Sequence, residues 1–200
     1  MSLYPWFKSR FSDRALRPVR DQLLSLIKPD SSLLDVGCGT GAMLFDAADR
    51  LSFGLGVDSD YRMTNWATKR KTRRQLDQLE FLNIDALALK DYFDLRFDIA
   101  TATLCLHAMP VPVAVDTLLM MSREADQVWI ADYGPISSKP GRVMIEFDEL
   151  VSGHYRRFWA WRALGGMPGL TARAGLYIQA QQATPIAGLY LWRISRIPPV

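Results

Sequence analysis

Three glycines fall within five residues, Gly37, Gly39 and Gly41 of "LLDVGCGTGAML", between an apolar run and a stretch of helical texture. A turn of this kind lets a ligand lie against bare backbone and aims the first N–H groups of the following helix at it. Three carboxylates flank it in sequence. Asp35 stands two residues before the first glycine, Asp58 closes the next apolar stretch, and Asp85 follows a third in "NIDA". An acid about 20 residues beyond such a turn is placed to accept from two ribose hydroxyls, one on each oxygen. These residues suit a nucleoside. Gly37, Gly39 and Ala42 also meet the dinucleotide pattern GxGxxG/A, so NAD is one reading. The extra glycine, the extra carboxylate and the absence of room for a separate substrate domain favour another nucleoside.

These residues need a scaffold, and the chain predicts one. Helical spacing runs through Leu16, Val19, Leu23, Leu26 and Ile27, with Pro18 suited to a first turn. Strands are then predicted at "SLLDV", "FGLGVD", "EFLNID", "FDIATATLCL" and "QVWIADY", with helices between them over 41–50, 61–76 and 113–123. Short apolar strands alternating with helices imply a parallel sheet covered on both faces. From 141 to about 164 one long helix is predicted, with an apolar stripe through Val143, Phe147, Leu150, Val151, Phe158 and Trp161, stopped by "GGMPG". Two last strands, at "LYIQAQQA" and "GLYLWRIS", are joined by a link short enough only for a hairpin. The expected fold is α/β, a Rossmann-like, doubly wound, mostly parallel seven-stranded sheet with an antiparallel last strand. It is expected to form a single domain over 1–200. Residues 1–30 would be an N-terminal lid and helix, 31–135 the cofactor half, and 136–200 a substrate-side helix and terminal hairpin.

Composition narrows the function classes. With 24 Lys and Arg against 21 Asp and Glu, the chain lacks the strong basic excess of a dedicated nucleic-acid binder. Cys38 and Cys105 show no ligand spacing, so no metal site and a reducing, cytoplasmic setting are expected. No apolar run is long enough to span a bilayer. "YPWFKSRF" near the start mixes aromatic and basic residues, which suits a lid or a peripheral membrane contact.

Four motifs in order, "LLDVGCGTG", "GVDSD", "NIDAL" and "FDIATATLCLHAMP", resemble those of the class I S-adenosylmethionine-dependent methyltransferases. The resemblance covers Leu33 to about Tyr133. It implies S-adenosyl-L-methionine as cofactor, with Gly37, Gly39 and Gly41 clearing space for it and Asp35 near its methionine end. Asp58 would hold the ribose, Ser59 and Met63 would flank the adenine, and Asp85 and the Ala86 N–H would read its edge. Helix capping is the alternative reading of Asp58 and Asp85.

The acceptor is approached by exclusion. "TLCLHAMP" is not the Asn/Asp-Pro-Pro-Tyr/Phe signature used on base amines, and no Pro-Cys nucleophile occurs. "KRKTRR", residues 69–74, reads as the solvated face of a helix rather than an RNA contact. Methyl transfer is an in-line displacement that requires a base only for a protonated nucleophile. Candidates to reach the methyl are His107, Asp132, Tyr133, His154 and Tyr155. Tyr155, Arg156 and Phe158 of "HYRRFWAW" would line a substrate pocket. "ADYGP", "HYRRF" and "GGMPGL" are loosely similar to the type-11 and quinone-biosynthesis methyltransferases, which implies a small apolar or aromatic acceptor. The alternatives are an RNA or protein methyltransferase and a non-catalytic cofactor-binding module.

Overall fold

The computed structural model describes residues 13–91, 96–134 and 155–199. Helix α1 (Arg17–Leu24) carries Pro18 in its first turn and buries Val19 and Leu23. The alternation that follows is β1 (Ser31–Val36), α2 (Ala42–Ala47), β2 (Leu51–Val57), α3 (Tyr61–Arg74) and β3 (Leu79–Leu82). After a 3₁₀ stretch at Ala86–Asp91 come β4 (Phe97–Thr103), a 3₁₀ turn at Leu106–Ala108, α4 (Val111–Glu124) and β5 (Ala125–Tyr133). Helices α5 (Tyr155–Ala163) and α6 (Gly166–Arg173) and strands β6 (Tyr177–Ala183) and β7 (Leu189–Ser195) complete the described chain.

The sheet has seven strands in the order β3-β2-β1-β4-β5-β7-β6. Strands β1 to β5 pair in parallel, whereas β7 runs antiparallel to both β5 and β6. This is the expected Rossmann-like arrangement. The order reverses at β1, whose carboxyl end therefore opens a crevice against that of β4, the usual ligand position in such sheets. Leu33, Leu34 and Val36 of β1 and Ile99, Ala100 and Ala102 of β4 are buried on both faces of the sheet. Burial of each larger aliphatic side chain contributes roughly 1.5–3 kcal/mol, so the strands flanking the crevice form a stiff floor.

One element differs from expectation. "GGMPGL" starts a helix as well as following one. Gly165 and Gly166 turn the chain at φ 101° and 65°, and α6 then buries Met167 and Leu170. Pro168 lies in the first turn of α6, where its missing N–H is not required. Val143, Phe147, Leu150, Val151 and His154, like the "YPWFKSRF" segment, lie outside the described residues.

Candidate active site

The crevice is built from the glycine turn outward. Gly37, Gly39 and Gly41 all take positive φ, at 68°, 56° and 78°. The Gly37 and Cys38 N–H groups donate to the Val57 carbonyl at 2.9 and 3.1 Å, which docks the turn against β2. Gly39 N–H donates to Asp58 Oδ2 at 2.8 Å, and Asp60 N–H donates to Asp58 Oδ1 at the same distance. The Asp58 carboxylate thus joins the glycine turn to the β2–α3 turn. Each of its oxygens keeps further acceptor capacity. Asp85 accepts from Leu87 N–H at 2.9 Å, as a capping acid does, and is itself exposed.

A cavity of about 690 Å³ lies above these groups, within the roughly 300–1,000 Å³ usual for small-molecule sites. Gly37, Asp58, Ser59, Met63, Asp85 and Ala86 line it. Asp35, Gly39 and Gly41 do not. Asp35 is buried within the sheet and accepts from Thr101 Oγ1 on β4 at 2.8 Å. A Cβ at Gly41 would stand 2.6 Å from the Phe81 ring and 2.9 Å from that of Phe45, so ring packing excludes a side chain there. At Gly37 a Cβ would lie 2.8 Å from Cys105 Cβ, so the loop after β4 presses on the turn from the other side.

Sequence reasoning missed part of the wall. Thr103, Leu104, Met109, Val113 and Arg157 also line the cavity. Leu104 sits at φ 50°, a conformation that a non-glycine residue adopts only when its surroundings impose it. Its N–H donates to the Ala131 carbonyl at 2.8 Å. Among the described residues the buried Thr103 hydroxyl has no partner, although a buried polar group normally has one. Arg157, not its neighbour Arg156, reaches the cavity; it donates to the Ala108 carbonyl at 3.1 Å. Nothing in the spacing of "FDIATATLCLHAMP" marks Thr103 or Leu104 apart from their place at the strand end.

The candidate acid–base groups are arranged differently. His107 Nδ1 lies 2.6 Å from Asp132 Oδ1, and both side chains are buried. Tyr133 packs on the His107 ring at 4.8 Å between centroids. Phe158 and Trp161 from α5 approach the same ring at 6.0 and 6.2 Å. None of these residues lines the cavity. Tyr155 opens α5, Arg156 is exposed, and His154 lies outside the described residues. Among the described residues there is no metal-binding cluster of His, Cys, Asp and Glu, and no helix long and apolar enough to cross a membrane.

Residues 33–124 match the family model described as a methyltransferase domain. The described fold and the matched motifs agree. The match spans just under half of the chain, and the fold is the one seen in methyltransferase structures. Nocamycin O-methyltransferase of Saccharothrix syringae is 51% identical over 47 residues, 21% of this chain. The match spans only 17% of that curated relative's length. Among solved structures, the magnesium protoporphyrin IX methyltransferase of Synechocystis PCC 6803 with bound S-adenosylhomocysteine superposes with a TM-score of 0.65 at 15% identity. That alignment covers 93% of this chain and 84% of the other. An O-methyltransferase from neocarzinostatin biosynthesis, in complex with S-adenosylmethionine and 2-hydroxy-5-methyl naphthoic acid, gives 0.61 at 16% identity. It covers 84% of this chain and 49% of the other. At these identities the likeness to the methyltransferase structures is one of fold.

Proposed function

We propose that the protein binds S-adenosylmethionine in the cavity beside the glycine turn and transfers its methyl group to a small apolar or aromatic molecule. The observation that carries this reading is the set of groups brought to one cavity. Asp58, Met63 and Asp85 line it together, and Thr103 brings a hydroxyl that no group among the described residues satisfies. Asp58 would accept from the two ribose hydroxyls while its backbone contacts keep it aimed. Asp85 would accept from the exocyclic amine, and Met63 would pack on the adenine face. A bound sulfonium supplies an electrophilic methyl. Held by Asp58, Asp85 and Met63, that group would offer its methyl along the sulfur–methyl line to an acceptor's electron pair, with the bonding electrons left on sulfur.

The chain's task is then to position the acceptor on that line and to keep water away. Leu104, Met109 and Val113 give the cavity an apolar side suited to a ring. The aromatic acid bound to the neocarzinostatin enzyme and the O-methyltransferase activity named for the nocamycin protein agree in class. His107 and Tyr133, being buried beside Asp132, serve to hold the Leu106–Ala108 turn whose last carbonyl Arg157 grips. We read the described residues as parts of one domain, since β7 pairs directly with β5.

Calorimetric titration with S-adenosylhomocysteine and separately with NADH tests the cofactor. Wild type is expected to bind only the first. Asp58→Ala should weaken it by about 30-fold or more, the loss of charge-assisted bonds worth about 2–3 kcal/mol together. Binding of NADH alone would overturn the reading. Methyl transfer from labelled cofactor to a panel of hydroxylated aromatic acids tests the second half. Tight cofactor binding with no transfer to any of them would leave a binding module instead of an enzyme for this acceptor class.

A further inference from the structure

A second cavity, of about 330 Å³, lies apart from the first, and no residue lines both. Its charged walls are Asp13, Arg14, Arg17, Arg20, Asp46 and Arg70. Four guanidiniums therefore meet two carboxylates, and the carboxylates are already engaged. Asp46 accepts from Arg20 Nε at 2.7 Å and from Arg17 Nη1 at 3.2 Å. Asp13 accepts from the Thr40 hydroxyl on the glycine turn. Arg17 is drawn further to Asp21, at 2.7 Å.

Arg70 is different. It is half-buried, and its guanidinium lies 4.2 Å above the Phe45 ring. Among the described residues it donates no hydrogen bond, although the group carries five N–H donors. Burial, and next the neighbouring Arg74, hold its pKa below the usual guanidinium value. The "KRKTRR" run is thus not a uniformly solvated face. Arg70 leans half-buried over Phe45 and the exposed Arg74 also reaches that ring, while Lys69 and Arg73 are exposed. A cation partly removed from water without an acceptor is unfavourable unless an anion completes it.

We propose that this cavity binds a small phosphate-class oxyanion, held by the free donors of Arg70, Arg20 and Arg14. The planar fork of arginine matches two oxygens of a tetrahedral anion at once. The excess of two positive charges in the walls equals the charge of one phosphate dianion. A recess with Asp13 and Asp46 in its walls opposes a polyanion lying across it, which disfavours a nucleic-acid backbone. The site is separate from the nucleoside cavity and does not depend on its reading.

The test is calorimetric titration of the full chain with inorganic phosphate at constant ionic strength, with phenyl phosphate as a second ligand. Saturable one-site binding is expected, weakened at least tenfold by Arg70→Gln and at least threefold by Arg14→Gln. Affinity for S-adenosylhomocysteine should stay within twofold in both variants. Tighter binding of phenyl phosphate would assign the site to a phosphorylated organic molecule, and equal binding to phosphate itself. The proposal is overturned if heats do not saturate and match those of chloride, or if neither variant changes phosphate binding. Loss of S-adenosylhomocysteine binding in parallel would instead make the cavity part of the nucleoside site. Tight binding of a single-stranded RNA without saturable phosphate binding would also overturn it.

Discussion

Two sets of polar side chains stand just past strand ends in this domain, and they have opposite surroundings. Beyond β2, Asp58 accepts from the backbone of Gly39 and Asp60 and also faces a cavity. At the end of β5, Asp132 accepts from Tyr133 N–H at 2.8 Å and pairs with His107, but it is fully buried. Both carboxylates organise local backbone. Only the first has spare acceptor capacity pointing into open space. Around the second, Tyr133, Phe158 and Trp161 fill the volume a ligand would need. Carboxylates at strand ends thus become recognition groups or internal struts according to what packs beside them.

Removing the strut should produce the largest effect on stability. Asp132→Ala removes the buried carboxylate that bonds His107 Nδ1 and the Tyr133 N–H, at a cost of about 3 kcal/mol. For a chain of this size that lowers Tm by about 6–12 °C. S-adenosylhomocysteine affinity of the folded protein should change little. Thermal unfolding paired with calorimetry reads both quantities. Loss of affinity with stability retained would erase the contrast with Asp58 and return His107 to the acid–base role.

The glycine turn contains the same contrast on a smaller scale. Gly41→Ala forces a methyl against Phe81 and Phe45 in a left-handed conformation, with an expected loss of about 2 kcal/mol. Because Gly41 does not line the cavity, ligand affinity measured on folded protein should hold. Gly37→Ala pushes Cys105, which lines the cavity, and should weaken S-adenosylhomocysteine by about tenfold at a similar loss of about 2 kcal/mol. Equal affinities in the two variants would mean that the whole turn moves as a unit.

The scaffold was legible because its signals are local. Short apolar runs mark β1 to β5, period-3.6 patterns mark the helices between them, and the few residues between β6 and β7 permit only a hairpin. The cavity carboxylates Asp58 and Asp85 were legible for a related reason, since glycine turn, strand and acid recur at short range. What stayed hidden depends on distant partners. Gly41 answers to Phe81, forty positions on, and His107 is enclosed by Phe158 and Trp161, fifty positions on. The α6 helix was hidden because "GGMPG" reads as punctuation, whereas two left-handed glycines and a first-turn proline also make a helix start. Leu104 at positive φ has no sequence signature at all.

The smallest effect is expected at Thr103, where the contrast between strut and recognition group is sharpest within one side chain. Its hydroxyl is buried like a strut but bonded to nothing among the described residues. If it belongs to recognition, Thr103→Val should weaken S-adenosylhomocysteine by about fivefold, the worth of one neutral hydrogen bond at about 1 kcal/mol. Stability of the free protein should then stay level or rise by about 1 kcal/mol, since an unsatisfied hydroxyl has been replaced by a methyl of similar size. Calorimetry and thermal unfolding on the same sample separate the two changes. A stability gain without a loss of affinity would place the hydroxyl against apolar packing and confine recognition to the carboxylates at β2 and β3. Loss of both would make Thr103 a strut after all.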